Sequence, residues 1–190
     1  MPADLKIHFW GFILISKKYS LDELTGFLKD AGCSERVIEH CLAVRNLSVR
    51  YACEIPDADP NLVEAGAVLH DIGRSVTHDI SHAQVGADIC RKLGFSEDIC
   101  LIVERHIGAG LPAAECAEYG LDAHDCIPLT LEEKIVAHCD NLVKGSDVIT
   151  IGERMSLALK SGLSLEARER IARLSDEIEG LRTVRSEKKQ

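Results

Sequence analysis

The residues with the greatest capacity for chemistry in this 190-residue chain are histidines and aspartates set on apolar helical faces. In a helix, positions i, i+3, i+4 and i+7 share one side. His106 completes such a face with Ile99, Ile102 and Val103, and His82 leads Val85, Gly86 and Ile89 in the same way. His40 lies between Val37 and Val44, and Asp140 between Val136 and Val143, again at helical spacing. A single histidine on an apolar face is more often a satisfied core residue than a ligand, and a single buried aspartate is often a cap or an ion-pair partner. Four such groups on separate helical stretches change that balance. Burying them uncompensated costs several kcal/mol each (about 3–5 by analogy with broken buried pairs), so they must be paired or bound to a cation. His70-Asp71, at the end of an apolar stripe before Gly73, brings the inventory to four imidazoles and two carboxylates. That mixture suits iron, manganese or zinc rather than calcium.

As a set, His40, the His70-Asp71-Ile72-Gly73 run, His82, His106 and Asp140 resemble the HD superfamily in its HDIG form, over residues 40 to 140. A His-Asp pair alone carries little weight: His78-Asp79 also occurs, without the apolar helix or the glycine. The resemblance implies an all-α, HD-domain helical bundle in which His40, His70, Asp71 and Asp140 hold one divalent transition metal. His82 and His106 match the extra histidines of dinuclear members and would hold a second, with Asp71 bridging. Iron or manganese is the first expectation, with zinc, nickel or cobalt as substitutes. The implied reaction is hydrolysis of a phosphate ester or anhydride by a metal-bound hydroxide, on a small phosphorylated molecule and foremost a nucleotide. The chain is also similar to bacterial HDIG proteins that hydrolyse nucleotides at a di-iron site, and more so to uncharacterised archaeal HDIG proteins around Thr130 to Leu142. Two alternatives stay open: a di-iron oxygenase of the HD type, which uses the same ligand types, and a non-catalytic nucleotide-binding module.

Arg74 follows the glycine directly, where many HD members place a basic residue near the substrate phosphate. Its guanidinium either contacts phosphate, which makes it a catalytic and substrate-binding candidate beside Asp71, or pairs with a neighbouring acid on the surface. Lys144, one turn beyond Asp140, is a weaker substrate-binding candidate. Arg105 reads as a solvated neighbour of His106, His138 as roughly opposite Asp140 on its helix, and His124 as a surface loop residue. Gly108-Ala109-Gly110 ends a helix with small residues that also permit close approach to the metals. The segment from Leu111 to Pro128 reads as a loop and is the expected place for specificity determinants.

The elements that must position these groups are short, well-punctuated helices. Ser20 and Glu23 form a capping box for a first helix ending near Gly32, and Ser34 opens a longer one that Pro56 stops. Asp59-Pro60 starts a third, whose stripe of Leu62, Ala65, Leu69 and Ile72 runs on to Gly73. Ser81 and Ser96 open two more, ending at Gly94 and near Gly108. Thr130 and Glu133 read as another capping box for a helix running through Val143 to Gly145. From Ser164 to about Arg185 the chain is helical and highly charged, with Glu166 and Arg170 spaced for an i,i+4 pair and Leu165, Ile171, Leu174, Ile178 and Leu181 on one side. No strand alternation exceeds a few residues, so the fold class is all-α.

Three segments follow: an N-terminal extension over 1–19, an HD domain over 20–160, and a C-terminal charged helix over 161–190 that packs on or extends from it. The net charge of −9 opposes general nucleic-acid binding without excluding one compact anion at a local cation. The eight cysteines lie mostly within helical stretches and read as reduced core thiols, which suits a cytoplasmic protein. The apolar run from Ile7 to Ile15 is too short to span a bilayer, so no membrane partner is expected. Homo-oligomerisation is compatible with the sequence.

Overall fold

The computed structural model describes residues 18–187, so the Ile7–Ile15 run lies outside the described residues. The elements run α1 (Leu21–Ala31), α2 (Glu35–Glu54), α3 (Pro60–Leu69), a 3₁₀ turn (Ile72–Ser75), α4 (His82–Lys92), α5 (Glu97–Arg105), α6 (Ala113–Glu118), α7 (Leu131–Asn141), β1 (Val143–Lys144), β2 (Asp147–Val148), α8 (Ile151–Lys160) and α9 (Leu165–Glu187). The fold is all-α, as expected.

Local chemistry accounts for most boundaries. Ser20 and Glu23 cap α1 reciprocally, and Gly32, in the left-handed region at φ 92°, closes it. Asp59 accepts from the backbone N–H groups of Asn61 and Leu62 to start α3, with Pro60 in its first turn. The bundle centre is α2 against α3 and α7, with α4 and α5 packed on each other and α5 also against α3 and α7. One apolar cluster joins α1 to α5 through Leu28, Cys41, Leu69, Ala87 and Val103, and a second joins α2, α3, α7 and α9 through Val44, Val63, Ile135 and Ile178.

Several expectations are corrected. The third helix stops at Leu69, and the chain turns through a 3₁₀ segment instead of continuing helically to Gly73. The helix carrying Asp140 ends at Asn141, and Val143–Lys144 pairs with Asp147–Val148 as a tight antiparallel hairpin through Gly145. The segment from Leu111 to Pro128 is not a plain loop. It contains α6 and is tied at its base by Leu111 and Cys126, which exchange backbone hydrogen bonds of 3.1 and 2.9 Å. Thr130 caps α7 through the Glu133 N–H, but Glu133 does not return the bond: its carboxylate accepts from Leu129 N–H and from Arg105.

Arg105 is therefore no solvated residue but half of a largely buried ion pair, with a closest approach of 3.0 Å. Arg170 pairs with Glu115 of α6 in place of Glu166. In α9, Ile171, Leu174 and Ile178 are buried as expected, whereas Leu165 and Leu181 are exposed.

Candidate metal centre

His70 and His106 are the residues that terminate α3 and α5, His82 is the first residue of α4, and Asp140 lies one residue from the end of α7. His40 comes from the interior of α2. Helix C-termini leave carbonyls unpaired and carry partial negative charge, which favours a cation nearby. Those carbonyls also orient the rings. His70 Nδ1–H donates to Ala67 O at 2.8 Å, and His106 Nδ1–H donates to Val103 O at 2.7 Å, each three residues back. His82 Nδ1–H repeats the bond to Asp79 O at 2.7 Å, and His40 Nδ1–H donates to Gly145 O at 2.7 Å. A carbonyl only accepts, so all four rings carry a proton on Nδ1 and present Nε2 inward, the arrangement of metal-bound histidines.

The four Nε2 atoms converge on two carboxylates. Asp71 Oδ1 lies 3.0 Å from His82 and 3.6 Å from His106, while Asp71 Oδ2 lies 3.8 Å from His70 and 3.9 Å from His40. Asp140 Oδ1 lies 3.0 Å from His40 and 3.5 Å from His70. All six sequence-selected groups thus come together, with Asp71 facing one histidine pair with each oxygen. His70, Asp71, His82 and His106 are buried; His40 and Asp140 are partly open to a cavity of about 360 Å³.

The cluster is incomplete as a hydrogen-bond network, which is the test of whether it suits a cation. Buried His70 Nε2 and Asp71 Oδ1 have no hydrogen-bond partner. His82 Nε2 and His106 Nε2 face each other at 3.1 Å, and with Nδ1 protonated on both rings their lone pairs oppose unless a proton or cation lies between. Burial opposes ionisation of Asp71, but His70, His106 and His82 outweigh it and hold the carboxyl far below its ordinary range. Asp140 is likewise depressed against burial, by His40 and His70. Burial would lower His70, yet Cys41, Asp71 and Asp140 together hold it well above its ordinary value, while burial lowers His106. Two firmly ionised carboxylates thus recruit positive charge among crowded imidazoles, a demand that a divalent cation meets without crowding protons. His40 with His70 and Asp140, and His70 with Asp71 and His106, form two groups with their ligand atoms within 4.8 Å of one another.

Gly73 explains why the motif needs a glycine. A Cβ there would stand 2.0 Å from His82 O and 2.7 Å from Gly86 N. The backbones of the 3₁₀ turn and α4 touch at this point, and that contact sets His82 against Asp71.

Arg74 Nε donates to Asp71 Oδ2 at 2.7 Å and Nη1 donates to His78 O at 3.3 Å, so the guanidinium pairs with a carboxylate of the cluster and also lines the cavity. Lys144, exposed on β1, lines the same cavity, though not from the helical turn anticipated for it. His138 points away from the cluster, towards Glu179. Arg154 and Asn141 escaped the sequence reading. Arg154 Nε donates to Asn141 Oδ1 at 2.9 Å, and Asn141 Nδ2 donates to Gly108 O at 2.6 Å. The Thr150-x-x-Glu153 capping box that starts α8 was a signal for the helix carrying Arg154. A second cavity of about 350 Å³ shares Ile107, Gly108 and Arg154 with the first and is walled by Leu111, Glu118, Tyr119, Glu166 and Ile171.

The chain is 48% identical over 154 residues to an uncharacterised protein of Methanocaldococcus jannaschii, covering 78% of this chain and 91% of the relative. It is 45% identical over 143 residues to a tRNA (cytidine(56)-2'-O)-methyltransferase of Thermoplasma volcanium, covering 75% of this chain but only 42% of that enzyme. The fold matches the HD domain of the Listeria monocytogenes phosphodiesterase PgpH in complex with cyclic-di-AMP, with a TM-score of 0.54 at 18% identity, over 85% of this chain and 96% of that one. The HD domain model matches residues 37–145, which hold all six clustered residues. The chain belongs to the HD domain family.

Proposed function

We propose that this protein is a metal-dependent phosphohydrolase acting on a nucleotide or a similarly small phosphodiester, with two divalent cations held by His40, His70, Asp71, His82, His106 and Asp140. The observation that carries this reading is the placement of Asp71: its two oxygens face two different histidine pairs, as a bridging carboxylate requires. When bound, cations in this cradle supply Lewis-acid charge and lower the pKa of water.

The chain's own residues do the rest. Arg74, beside Asp71 and facing the cavity, is placed to direct N–H groups at phosphoryl oxygens that reach the cluster. Arg154, fixed by Asn141 on the border of both cavities, is placed to orient a phosphate or its neighbouring group. Lys144 adds positive potential at the rim. The second cavity combines apolar walls and the half-exposed Tyr119 with the Glu118 and Glu166 carboxylates, which accept hydrogen bonds. That lining suits a nucleobase with an amino group. The likeness to a domain that holds cyclic-di-AMP supports dinucleotides as the first substrates to screen.

The test is elemental analysis of protein purified without oxygen, followed by anaerobic hydrolysis of bis-p-nitrophenyl phosphate, linear dinucleotides and cyclic dinucleotides. The expected result is about two metals per chain at this cluster, so that His82→Ala and His106→Ala each hold about one equivalent fewer than the unmodified protein, with turnover that needs no oxygen. Arg154→Ala raises KM for dinucleotides by about tenfold, one lost charge-assisted contact of about 1.4 kcal/mol. Metal-loaded protein that hydrolyses none of these, or turns over only with oxygen, overturns the reading.

A further inference from the structure

Outside the metal centre, Glu104 of α5 meets His124 and Cys126 from the segment after α6. His124 Nε2 lies 3.3 Å from Glu104 Oε1 and 3.5 Å from Cys126 Sγ, and the three ligand atoms all lie within 4.8 Å of one another. Bond lengths for a tetrahedral zinc site put neighbouring nitrogen and oxygen ligands roughly 3.3 Å apart, and nitrogen and sulfur roughly 3.6 Å apart. One ring nitrogen cannot serve both neighbours with a single proton, whereas one cation satisfies all three atoms.

The surroundings orient each ligand. Glu104 Oε2 is held by Arg91 Nη2 at 3.2 Å, which leaves Oε1 free to face His124. Gln84 Nε2 donates to Cys126 Sγ at 3.6 Å and to Asp122 O at 3.0 Å. Such outer contacts fix ligand geometry in metal sites. Glu104 and Cys126 are buried, while the His124 side chain is 49% exposed, so a fourth position would face water.

We propose that Glu104, His124 and Cys126 form a peripheral site for a zinc-class cation, separate from the six-residue centre, that staples the segment after α6 to α5. Thiolate and imidazole select zinc or cobalt over magnesium or calcium. Cys126 pairs through its backbone with Leu111, which walls the second cavity, so the cation fixes that wall without touching the six-residue cluster.

The probe is cobalt(II), titrated into the full chain after chelator treatment, with zinc used for stoichiometry. The expected result is a thiolate-to-cobalt charge-transfer absorption in the unmodified protein and its loss in Cys126→Ser, which also takes up one equivalent fewer of zinc. His124→Ala, at an exposed position, weakens that equivalent by at least about tenfold, the scale set by losing even an outer contact. Circular dichroism on both variants separates loss of binding from loss of fold. No thiolate band, or a band that persists in folded Cys126→Ser, overturns the proposal; the second outcome points to Cys41, whose thiol lies beside His70.

Discussion

Helix α7 carries two polar residues two positions apart, and they belong to opposite kinds of cluster. On one side, His138 faces Glu179 at 3.3 Å, Tyr51 O–H donates to the same carboxylate oxygen at 2.6 Å, and Arg182 holds the other oxygen at 2.7 Å while lying 3.8 Å over the Tyr51 ring. Every group in that network has a complementary partner. On the other side, Asp140 joins four histidines and a second aspartate in a cluster with orphaned nitrogen and oxygen atoms and opposed lone pairs. Residue types do not separate these regions, since both unite imidazole with carboxylate. What separates them is whether the hydrogen-bond accounting closes: the closed network stabilises the fold, and the open one has the atoms to hold a cation.

The sharpest way to break this contrast is to remove the shared carboxylate. Asp71→Asn is expected to lower phosphodiester hydrolysis about a thousandfold, several kcal/mol of charge stabilisation at 1.36 kcal/mol per tenfold, with metal content reduced in parallel. Full metal content and near-normal rates in this variant would erase the distinction between the clusters. Next in size is Gly73→Ala. Its Cβ meets backbone atoms that cannot swing aside, so urea unfolding is expected to show a loss of about 1–3 kcal/mol or more, with weakened metal uptake because His82 moves with α4. Unchanged stability would mean that the turn and α4 need not touch to form the site.

The smallest effect tests the closed network. Burial lowers His138 below its ordinary value, although Glu179 opposes the shift. A histidine depressed in the folded state binds its proton more readily when unfolded, so it weakens the protein as pH falls from about 6.5 towards its folded value and contributes no pH dependence above that. The slope is limited to about 1.4 kcal/mol per pH unit for one proton. In metal-free protein, His138→Gln is expected to flatten the stability profile between pH 6.5 and 5 relative to the unmodified chain. An identical slope in the two would show that His138 is not held neutral.

Much of this was legible from helical periodicity. The spacing that set His40, His82, His106 and Asp140 on apolar faces also brings them together in space, because each face packs on the same bundle interior. The HDIG run marked where α3 ends, but not that His70 would itself terminate the helix and turn back on the Ala67 carbonyl. Nor did it mark the backbone contact of Gly73 with α4 that sets His82 against Asp71, a tertiary fact with no local pattern. Arg105 was misread for a related reason: its spacing from His106 says where it does not point, whereas its partner Glu133 lies 28 residues on. Glu133 in turn resembled a capping-box residue, and competition from Arg105 and Leu129 N–H decided the matter. Arg154 was missed because α8 is short and only Ala158 of its residues is buried, which leaves little apolar stripe to read.

The outer nitrogens of the four clustered rings also bear on how fast the centre fills. Each imidazole is pinned to a main-chain oxygen, so a half-turn of any ring would break that bond in a mostly buried place. The ring nitrogens are aimed at the centre before an ion arrives, and association would then be governed by shedding of the ion's own water and displacement of ring protons, not by slow reorganisation of side chains. The same pinning makes the four ring N–H protons slow to exchange with solvent, a spectroscopic mark of the site that can be sought before any substrate is known.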